Sequence, residues 1–221
     1  PSGKVGALTL PKGADWYNVA LELQTTTKMT ADEIHELGLK EVARIHAEID
    51  KIRETVAFKG DKRAFFDFMR TDKQFYLPNT DEGRARYLET AQGYLDVMYK
   101  RLPEYFGRLP KAPLVVKRVE SFREEAGGVQ HYYPPSIDGS RPGIYYAHLS
   151  DMNAMPTYML EDIAYHEGLP GHHMQISIAQ ELTGVPTFRT QAFDTAYAEG
   201  WGLYSEWLAK EMPGTYQTPY S

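Results

Sequence analysis

The chain contains no cysteine among its 221 residues. Disulfide bonds and thiolate ligands are therefore excluded, so any zinc site must use histidine and carboxylate side chains. No apolar run approaches the roughly 20 residues that a membrane-spanning helix needs, and no signal peptide is visible. The net charge is -6 at pH 7 and basic residues form no block, which argues against a nucleic-acid-binding protein.

Three of the seven histidines lie within eight residues, in His166-Glu167-Gly168-Leu169-Pro170-Gly171-His172-His173. A further carboxylate, Glu199, follows where a second helix-like segment begins. Two imidazoles and a carboxylate can hold a zinc ion, and a glutamate beside a ligand can activate its water. The pattern predicts a metallohydrolase in which His166 and Glu199 are ligands and Glu167 is the general base.

The spacing of these histidines departs from the H-E-x-x-H motif, in which the second histidine lies four residues after the first. That position is Pro170, which distorts a helix because it lacks an N–H and clashes with a preceding carbonyl. If a bulge forms there, His172 takes the place of the second ligand. In a regular helix His173 would face the side of His166, about 10.5 Å along the axis at 1.5 Å per residue. We favour His172 and keep His173 as the alternative.

Two glutamates compete for the third ligand position. Glu199 and Glu206 lie seven residues apart on one side of a helix predicted from about residue 195 to 212. Exposed helical glutamates are common, so neither is distinctive alone. Glycines cost roughly 1 kcal/mol each inside a helix, which suggests a packing reason for Gly200 and Gly202. Because these glycines leave room for a close helix approach beside Glu199, we favour Glu199 over Glu206.

Several segments of the chain resemble the bacterial family known as domain of unknown function 885. The resemblance runs across nearly the whole chain, and its H-E-x-x-P-G-H-H string is specific. The matching segments are Tyr165-His166-Glu167-Gly168-Leu169-Pro170-Gly171-His172-His173, Glu199-Gly200-Trp201-Gly202-Leu203-Tyr204, Tyr132-Tyr133-Pro134-Pro135, Asp138-Gly139-Ser140-Arg141-Pro142-Gly143 and Thr30-Ala31-Asp32-Glu33-Ile34-His35-Glu36-Leu37-Gly38.

The resemblance implies a fold like that of the thermolysin-like zincins. It implies zinc ligands at His166, at one of the following histidine pair and at Glu199, with Glu167 as catalytic base. Many members look like exported or lipid-anchored proteins, which implies a location in the cell envelope or periplasm. Members are also considerably longer than this chain, which starts at Pro1 without a methionine. We therefore expect a fragment, and expect that any catalytic groups beyond Ser221 are missing from it.

The order of predicted elements is helices, a small sheet and then the helices of the motif. Thr30 and Glu33 form a capping box at the start of a long helix. Its apolar stripe is predicted to pack in a core, with His35 and His46 on solvated flanks; the stripe is Ile34, Leu37, Val42, Ile45, Ile49, Ile52 and Val56. Strands are predicted near residues 114–119, 129–133 and 143–149.

This order predicts an α+β, mostly helical, zincin-like fold in which a small sheet precedes the active-site helices. We expect residues 1–110 to form a helical region, and residues 111–221 to form the sheet and the active-site helices. Both regions are expected to belong to one continuous unit.

The strand at residues 143–149 is placed to act as an edge strand that pairs with an extended peptide. Tyr145 and Tyr146 alternate faces, so one of them would reach the substrate groove. An internal strand is an equally good interpretation. His131 and His148 are interpreted as structural residues.

The function predicted from these features is zinc-dependent hydrolysis of peptide bonds, with Zn2+ as cofactor and a peptide as substrate. One alternative is a non-catalytic helical domain that binds peptides. Another is a different metal-dependent hydrolase or oxidase, of which the di-iron class needs Glu-x-x-His sequences on two helices. The sequence indicates no oligomeric state.

Overall fold

The computed structural model describes residues 6–125 and 128–221. It divides into two compact units, residues 1–58 with 194–197 and residues 59–193 with 198–221. The boundary predicted at residue 110 lies inside the second unit. The reason is that the helix preceding residue 110 packs against the sheet and the helix that follow it, so these elements share one core.

The first unit contains helices α1 (Gly13–Thr25) and α2 (Ala31–Thr55). The Thr30 hydroxyl accepts a hydrogen bond from the Glu33 N–H at 3.3 Å, and the Glu33 carboxylate accepts one from the Thr30 N–H at 2.7 Å. These reciprocal bonds satisfy two of the backbone donors that every helix start leaves unpaired. The predicted capping box is confirmed.

The apolar stripe of α2 is not packed in a core, so that prediction is wrong for the described chain. Leu37, Val42 and Ile45 are 48%, 51% and 45% exposed, and α2 has no buried residue. An amphipathic helix buries its stripe only against a facing surface. The other members of the stripe, Ile34, Ile49, Ile52 and Val56, are half-buried. His35 and His46 are exposed, as expected.

The second unit combines helices with three short strands, which confirms the α+β, mostly helical class. Along the chain, the three strands come before the two helices of the histidine motif. The elements are α3 (Lys62–Thr71), α4 (Asp81–Tyr105), β1 (Leu114–Arg118), β2 (His131–Tyr133), β3 (Gly143–Ala147), α5 (Leu160–Glu167), α6 (His172–Gln180) and, from Ala198 onwards, α7 (Thr195–Ala209).

Strand β3 lies in the middle of the sheet, whose order is β1-β3-β2. It pairs parallel with β1 and antiparallel with β2, so the hypothesis that β3 is an edge strand is wrong. Tyr145 is 0% and Tyr146 7% exposed, and neither lines an open groove. A strand that is buried on both faces carries a continuous run of apolar residues, as Gly143–Ala147 does along its whole length.

Helix α4 supplies the largest share of the core beneath the sheet. Its buried positions recur every three to four residues, as expected for one face of a helix, and they pack with β3 and α5. These positions are Tyr87, Ala91, Leu95, Met98 and Leu102. None of the helices in the described ranges is long and apolar enough to cross a membrane.

Candidate metal centre

The histidine motif is interrupted between two helices. Helix α5 ends at Glu167 and α6 begins at His172. The Gly171 N–H donates to the Tyr165 carbonyl at 3.0 Å, a span of six residues in place of the four of an α-helix. The expected distortion around Pro170 is therefore present, and it brings the start of α6 back over the last turn of α5.

The interruption places His166 and His172 side by side, with ring centroids 4.6 Å apart. Glu199 Oε2 lies 3.4 Å from His166 Nε2 and 3.6 Å from His172 Nε2. The three donor atoms lie within 4.8 Å of one another. Ligands bonded to a tetrahedral zinc ion at about 2.0–2.1 Å are roughly 3.3 Å apart. The separations of Glu199 from the two histidine nitrogens are thus close to those within a zinc ligand set.

Helix α7 can approach α5 this closely because of one glycine. A Cβ built on Gly202 would lie 2.6 Å from Cε1 of His166, which is closer than real Cβ contacts allow. Gly202 lies between Glu199 and Glu206 on the same face of α7. The packing reason predicted for the glycines holds at Gly202. At Gly200 an added Cβ would meet nothing within 4 Å, so Gly200 has no such role.

The two competing glutamates contact opposite nitrogens of the His166 ring. Glu206 Oε1 lies 2.5 Å from Nδ1, whereas Glu199 lies on the Nε2 side. The hydrogen bond to Glu206 raises the pKa of His166 above its ordinary value. Metal-binding histidines commonly donate their second N–H to a carboxylate, which fixes the orientation of the ring. If a metal binds at this cluster, Glu206 would be such a supporting carboxylate and Glu199 would be a ligand.

Two further residues lie beside Glu206, and sequence reasoning missed both. Asp162 lies one turn before His166 on α5, and the Tyr216 hydroxyl donates to Asp162 Oδ1 at 2.9 Å. Burial, followed by the charge of Glu206, raises the pKa of Asp162 to about 6. The four-residue spacing from His166 is a signal that could have indicated Asp162. No sequence pattern marks Tyr216, which follows α7 in an irregular segment.

The proposed base, Glu167, is buried beside the cluster and is 8% exposed. Burial raises the pKa of Glu167 to about 7, against the opposing effect of the neighbouring His166. The backbone N–H of Tyr132 in β2 also favours the charged carboxylate. A carboxyl group with a pKa near neutrality can both accept and return a proton under physiological conditions.

The alternative ligand, His173, lies outside this cluster. It is 1% exposed, its Nε2 lies 3.0 Å from the Ala112 carbonyl oxygen, and its Nδ1 lies 3.0 Å from the Tyr132 hydroxyl. The carbonyl can only accept, so Nε2 donates to it and Nδ1 accepts from Tyr132. Burial lowers the pKa of His173 to about 4. The structure therefore gives His173 a neutral ring whose two nitrogens are both engaged.

His131 and His148 form no comparable cluster. His131 stacks on the Tyr146 ring with centroids 5.3 Å apart, and His148 is 9% exposed. Within the described ranges, the group at His166 is the one set of three or more metal-ligating side chains that comes together. The interpretation of His131 and His148 as structural residues stays a prediction.

Comparison with known proteins identifies the family. A family model described as "Bacterial protein of unknown function (DUF885)" matches residues 2–221. The chain belongs to this family. The DUF885 chain is also similar to a solved structure described as "The crystal structure of the putative lipoprotein from Colwellia psychrerythraea", with a TM-score of 0.93 and 31% sequence identity. The match covers 97% of the DUF885 chain and 37% of that protein. Comparison with curated proteins gives no match.

Proposed function

We propose that this DUF885 chain carries the zinc-binding and proton-transfer groups of a metallopeptidase. The observation that supports the proposal is the meeting of His166, His172 and Glu199, whose donor atoms lie within 4.8 Å of one another, beside the buried Glu167. Zincins of the thermolysin type use two histidines and a glutamate as zinc ligands. A glutamate adjacent to the first histidine serves as their base.

The chemistry of these side chains fits zinc better than the common alternatives. Calcium and magnesium prefer ligand sets made of oxygen atoms, whereas two imidazoles and one carboxylate suit zinc. Burial lowers the pKa of His172, which favours the neutral imidazole that a metal requires. The Glu199 side chain is 49% exposed, so the cluster faces solvent on one side and leaves access for water and substrate.

The groups at this site would have separate roles in hydrolysis. Bound zinc would supply a Lewis acid that polarises the scissile carbonyl and acidifies a water molecule. Glu167 accepts the proton of the attacking water and delivers it to the leaving amine, which its pKa of about 7 permits. The Glu206 carboxylate keeps the Nδ1 proton of His166 in place, so that the Nε2 lone pair stays directed at the cluster.

A peptide substrate is supported by the position of β2. This strand lies at one edge of the sheet, and the N–H of its central residue, Tyr132, points toward Glu167. An extended peptide can add to such an edge through main-chain hydrogen bonds. We infer that β2, rather than β3 with Tyr145 and Tyr146, would align the scissile bond beside Glu167.

We also infer a location in the cell envelope. The similar protein from Colwellia psychrerythraea carries the name of a lipoprotein, and lipoproteins are held at membranes by attached acyl chains. Fractionation of the native organism tests this inference. Recovery of the protein with the soluble cytoplasmic fraction would contradict it.

The test of the catalytic proposal combines metal analysis with peptide hydrolysis by the longest available form of the protein. We expect about one zinc per chain, and no zinc in His166→Ala. We expect Glu167→Gln to keep its zinc but to hydrolyse a peptide library about 10²–10⁴-fold more slowly, the usual contribution of a general base. Glu211→Gln, which alters an exposed glutamate beyond α7, is the matched control and should retain full activity.

Each alternative gives a different result. Hydrolysis retained in Glu167→Gln would exclude this residue as the base. Two iron ions per chain would identify an oxidase scaffold. Peptide binding that is unchanged by a chelator, without cleavage, would identify a non-catalytic binding domain.

A further inference from the structure

One hydroxyl group joins the two helices that carry the candidate metal site. The Tyr216 hydroxyl lies 2.9 Å from Oδ1 of Asp162 on α5 and 3.2 Å from the backbone carbonyl oxygen of Glu206 on α7. The carbonyl oxygen can only accept and the ionised Asp162 carboxylate also accepts, so the hydroxyl donates to both in a shared arrangement. This shared hydrogen bond, the bridge, therefore reaches Glu206, which contacts the His166 ring on the side away from Glu199.

Two further contacts hold the rest of Tyr216 in place. Its N–H donates to the Glu161 carboxylate at 2.7 Å, and its ring packs edge-to-face against Tyr165 at 5.5 Å. Its backbone φ is 47°, a left-handed conformation that costs a non-glycine residue about 1–2 kcal/mol. Such a conformation persists where the surrounding contacts over-determine it. Tyr216 is thus held in one position despite lying in an irregular segment.

The preceding residue ties this segment to the end of α7. The Thr215 hydroxyl lies 2.6 Å from the carbonyl oxygen of Ala209 and 2.8 Å from that of Met212, and Thr215 is 7% exposed. Carbonyls at a helix end have no partner within the helix and are stabilised by such donors. Tyr216 is therefore attached to the end of α7, and its hydroxyl holds α7 in position relative to α5.

We propose that Tyr216 is a positioning residue that holds Glu206 against Nδ1 of His166 by fixing Asp162 and α7 relative to each other. The inference rests on the proposed metal centre, because it assigns Tyr216 a role in orienting one of its ligands. The Asp162 and Glu206 carboxylates are neighbours that repel each other when both are charged. Tyr216 gives Asp162 a donor of its own, while Glu206 accepts from Nδ1 of His166.

The test compares Tyr216→Phe with Tyr165→Phe. The first variant keeps the ring and its N–H bond to Glu161 but removes the hydroxyl that reaches Asp162 and Glu206. The second removes a similar buried hydroxyl, which donates to Glu161 at 2.8 Å and does not take part in the bridge. Both variants lose one tyrosine–carboxylate hydrogen bond, so a purely structural effect should be similar in the two.

The first readout needs no metal. In the chelator-treated protein, the Nδ1 proton of His166 should give a slowly exchanging, low-field NMR signal, assigned by its loss in His166→Ala. We expect Tyr216→Phe to broaden or lose this signal and Tyr165→Phe to retain it. The second readout is zinc affinity, measured by competition with a chromogenic chelator. We expect about tenfold weaker binding in Tyr216→Phe alone, the lower end of the range for groups that support metal ligands.

A Tyr216→Phe variant with the wild-type signal would overturn the inference, whatever its zinc affinity. If Tyr216→Phe loses the signal but the wild-type protein binds no zinc, the bridge is supported and the proposed metal centre is refuted. If Tyr216→Phe does not fold, Asp162→Ala removes the other end of the bridge. Loss of the His166 signal in folded Asp162→Ala supports the inference, and retention of that signal contradicts it.

Discussion

Helix α6 begins with two adjacent histidines that lie in unlike surroundings. His172 belongs to an open cluster with His166 and Glu199, in which the Nε2 atoms and a carboxylate oxygen converge. His173 belongs to a closed cluster with Tyr132 and the Ala112 carbonyl, in which both ring nitrogens are engaged. Consecutive residues of a helix point about 100° apart, so neighbours in sequence reach different environments.

The difference shows that metal-binding capacity depends on which lone pairs remain free. In the closed cluster, Nδ1 of His173 accepts a hydrogen bond from the Tyr132 hydroxyl and Nε2 donates to the Ala112 carbonyl, so no lone pair is left for a cation. In the open cluster, Glu206 engages only Nδ1 of His166 and leaves Nε2 directed at Glu199. Counting histidines in a motif therefore says less than finding the partner of each nitrogen.

The largest expected effect is a difference in zinc affinity between variants of His172 and His173. His172→Ala should weaken zinc binding about 10²–10³-fold, if the roughly 10–16 kcal/mol of a four-ligand zinc site is shared evenly among its ligands. His173→Gln should bind zinc within a few-fold of wild type, because no lone pair of His173 faces the cluster. Chelator competition measures both values.

Circular dichroism of each variant provides the control, because a zinc loss caused by unfolding says nothing about ligands. Equal losses of zinc affinity in folded His172→Ala and His173→Gln would break the distinction between the open and closed clusters. A larger loss in His173→Gln would reassign the ligand to the alternative histidine.

The next effect concerns stability and pH in the closed cluster. Burial lowers the pKa of His173 to about 4 from its usual 6.5, so between these values the unfolded chain binds the proton and the folded chain does not. The contribution of His173 to the free energy of unfolding is complete above pH 6.5 and is lost as the pH falls toward 4. The loss amounts to about 3 kcal/mol at 1.36 kcal/mol per pKa unit.

Urea denaturation of the metal-free protein at several pH values measures this loss. Glu167 and Asp162 have raised pKa values and act in the opposite sense, since they stabilise the folded chain at low pH and cease to do so as the pH rises. The difference between wild type and His173→Gln is therefore the quantity to compare. A difference that does not change between pH 7 and pH 4.5 would show that His173 is not held neutral by burial.

Much of the open cluster was predictable because its determinants are local. Proline cannot continue the α5 helix, and the interruption that follows makes His172 the neighbour of His166. The glycines on α7 indicated a close approach, although only Gly202 makes one. The meeting of His166, His172 and Glu199 was thus readable from spacing and backbone chemistry over short stretches of chain.

The features that were missed or wrong depend on contacts between distant segments. The central position of β3 follows from pairing with β1 and β2, and a run of apolar residues does not show how many neighbours a strand has. The α2 stripe has the period of a core helix, yet its Leu37, Val42 and Ile45 are exposed. Tyr216 reaches Asp162 across 54 positions of sequence, which no local pattern encodes.

The smallest expected effects come from two glycines, one in contact with each cluster. A Cβ on Gly202 would meet the His166 ring, and a Cβ on Gly143 would overlap the His173 ring and the Tyr132 hydroxyl. Overpacking of this kind costs about 1–3 kcal/mol. We expect Gly202→Ala to weaken zinc binding, because the added methyl group would displace the His166 ring from its position beside Glu199. Gly143→Ala lies in the central strand, so it should lower the free energy of unfolding and leave zinc affinity nearly unchanged.

Gly200→Ala is the matched control for Gly202→Ala, since both glycines lie in α7. A Cβ at residue 200 would meet nothing within 4 Å, and replacing glycine by alanine inside a helix stabilises it by up to about 1 kcal/mol. Gly200→Ala should therefore raise the thermal midpoint slightly and keep zinc affinity unchanged. If Gly200→Ala and Gly202→Ala weaken zinc binding equally, the cause is helix stiffening rather than contact with His166, and the close approach of α7 does not position the ligand.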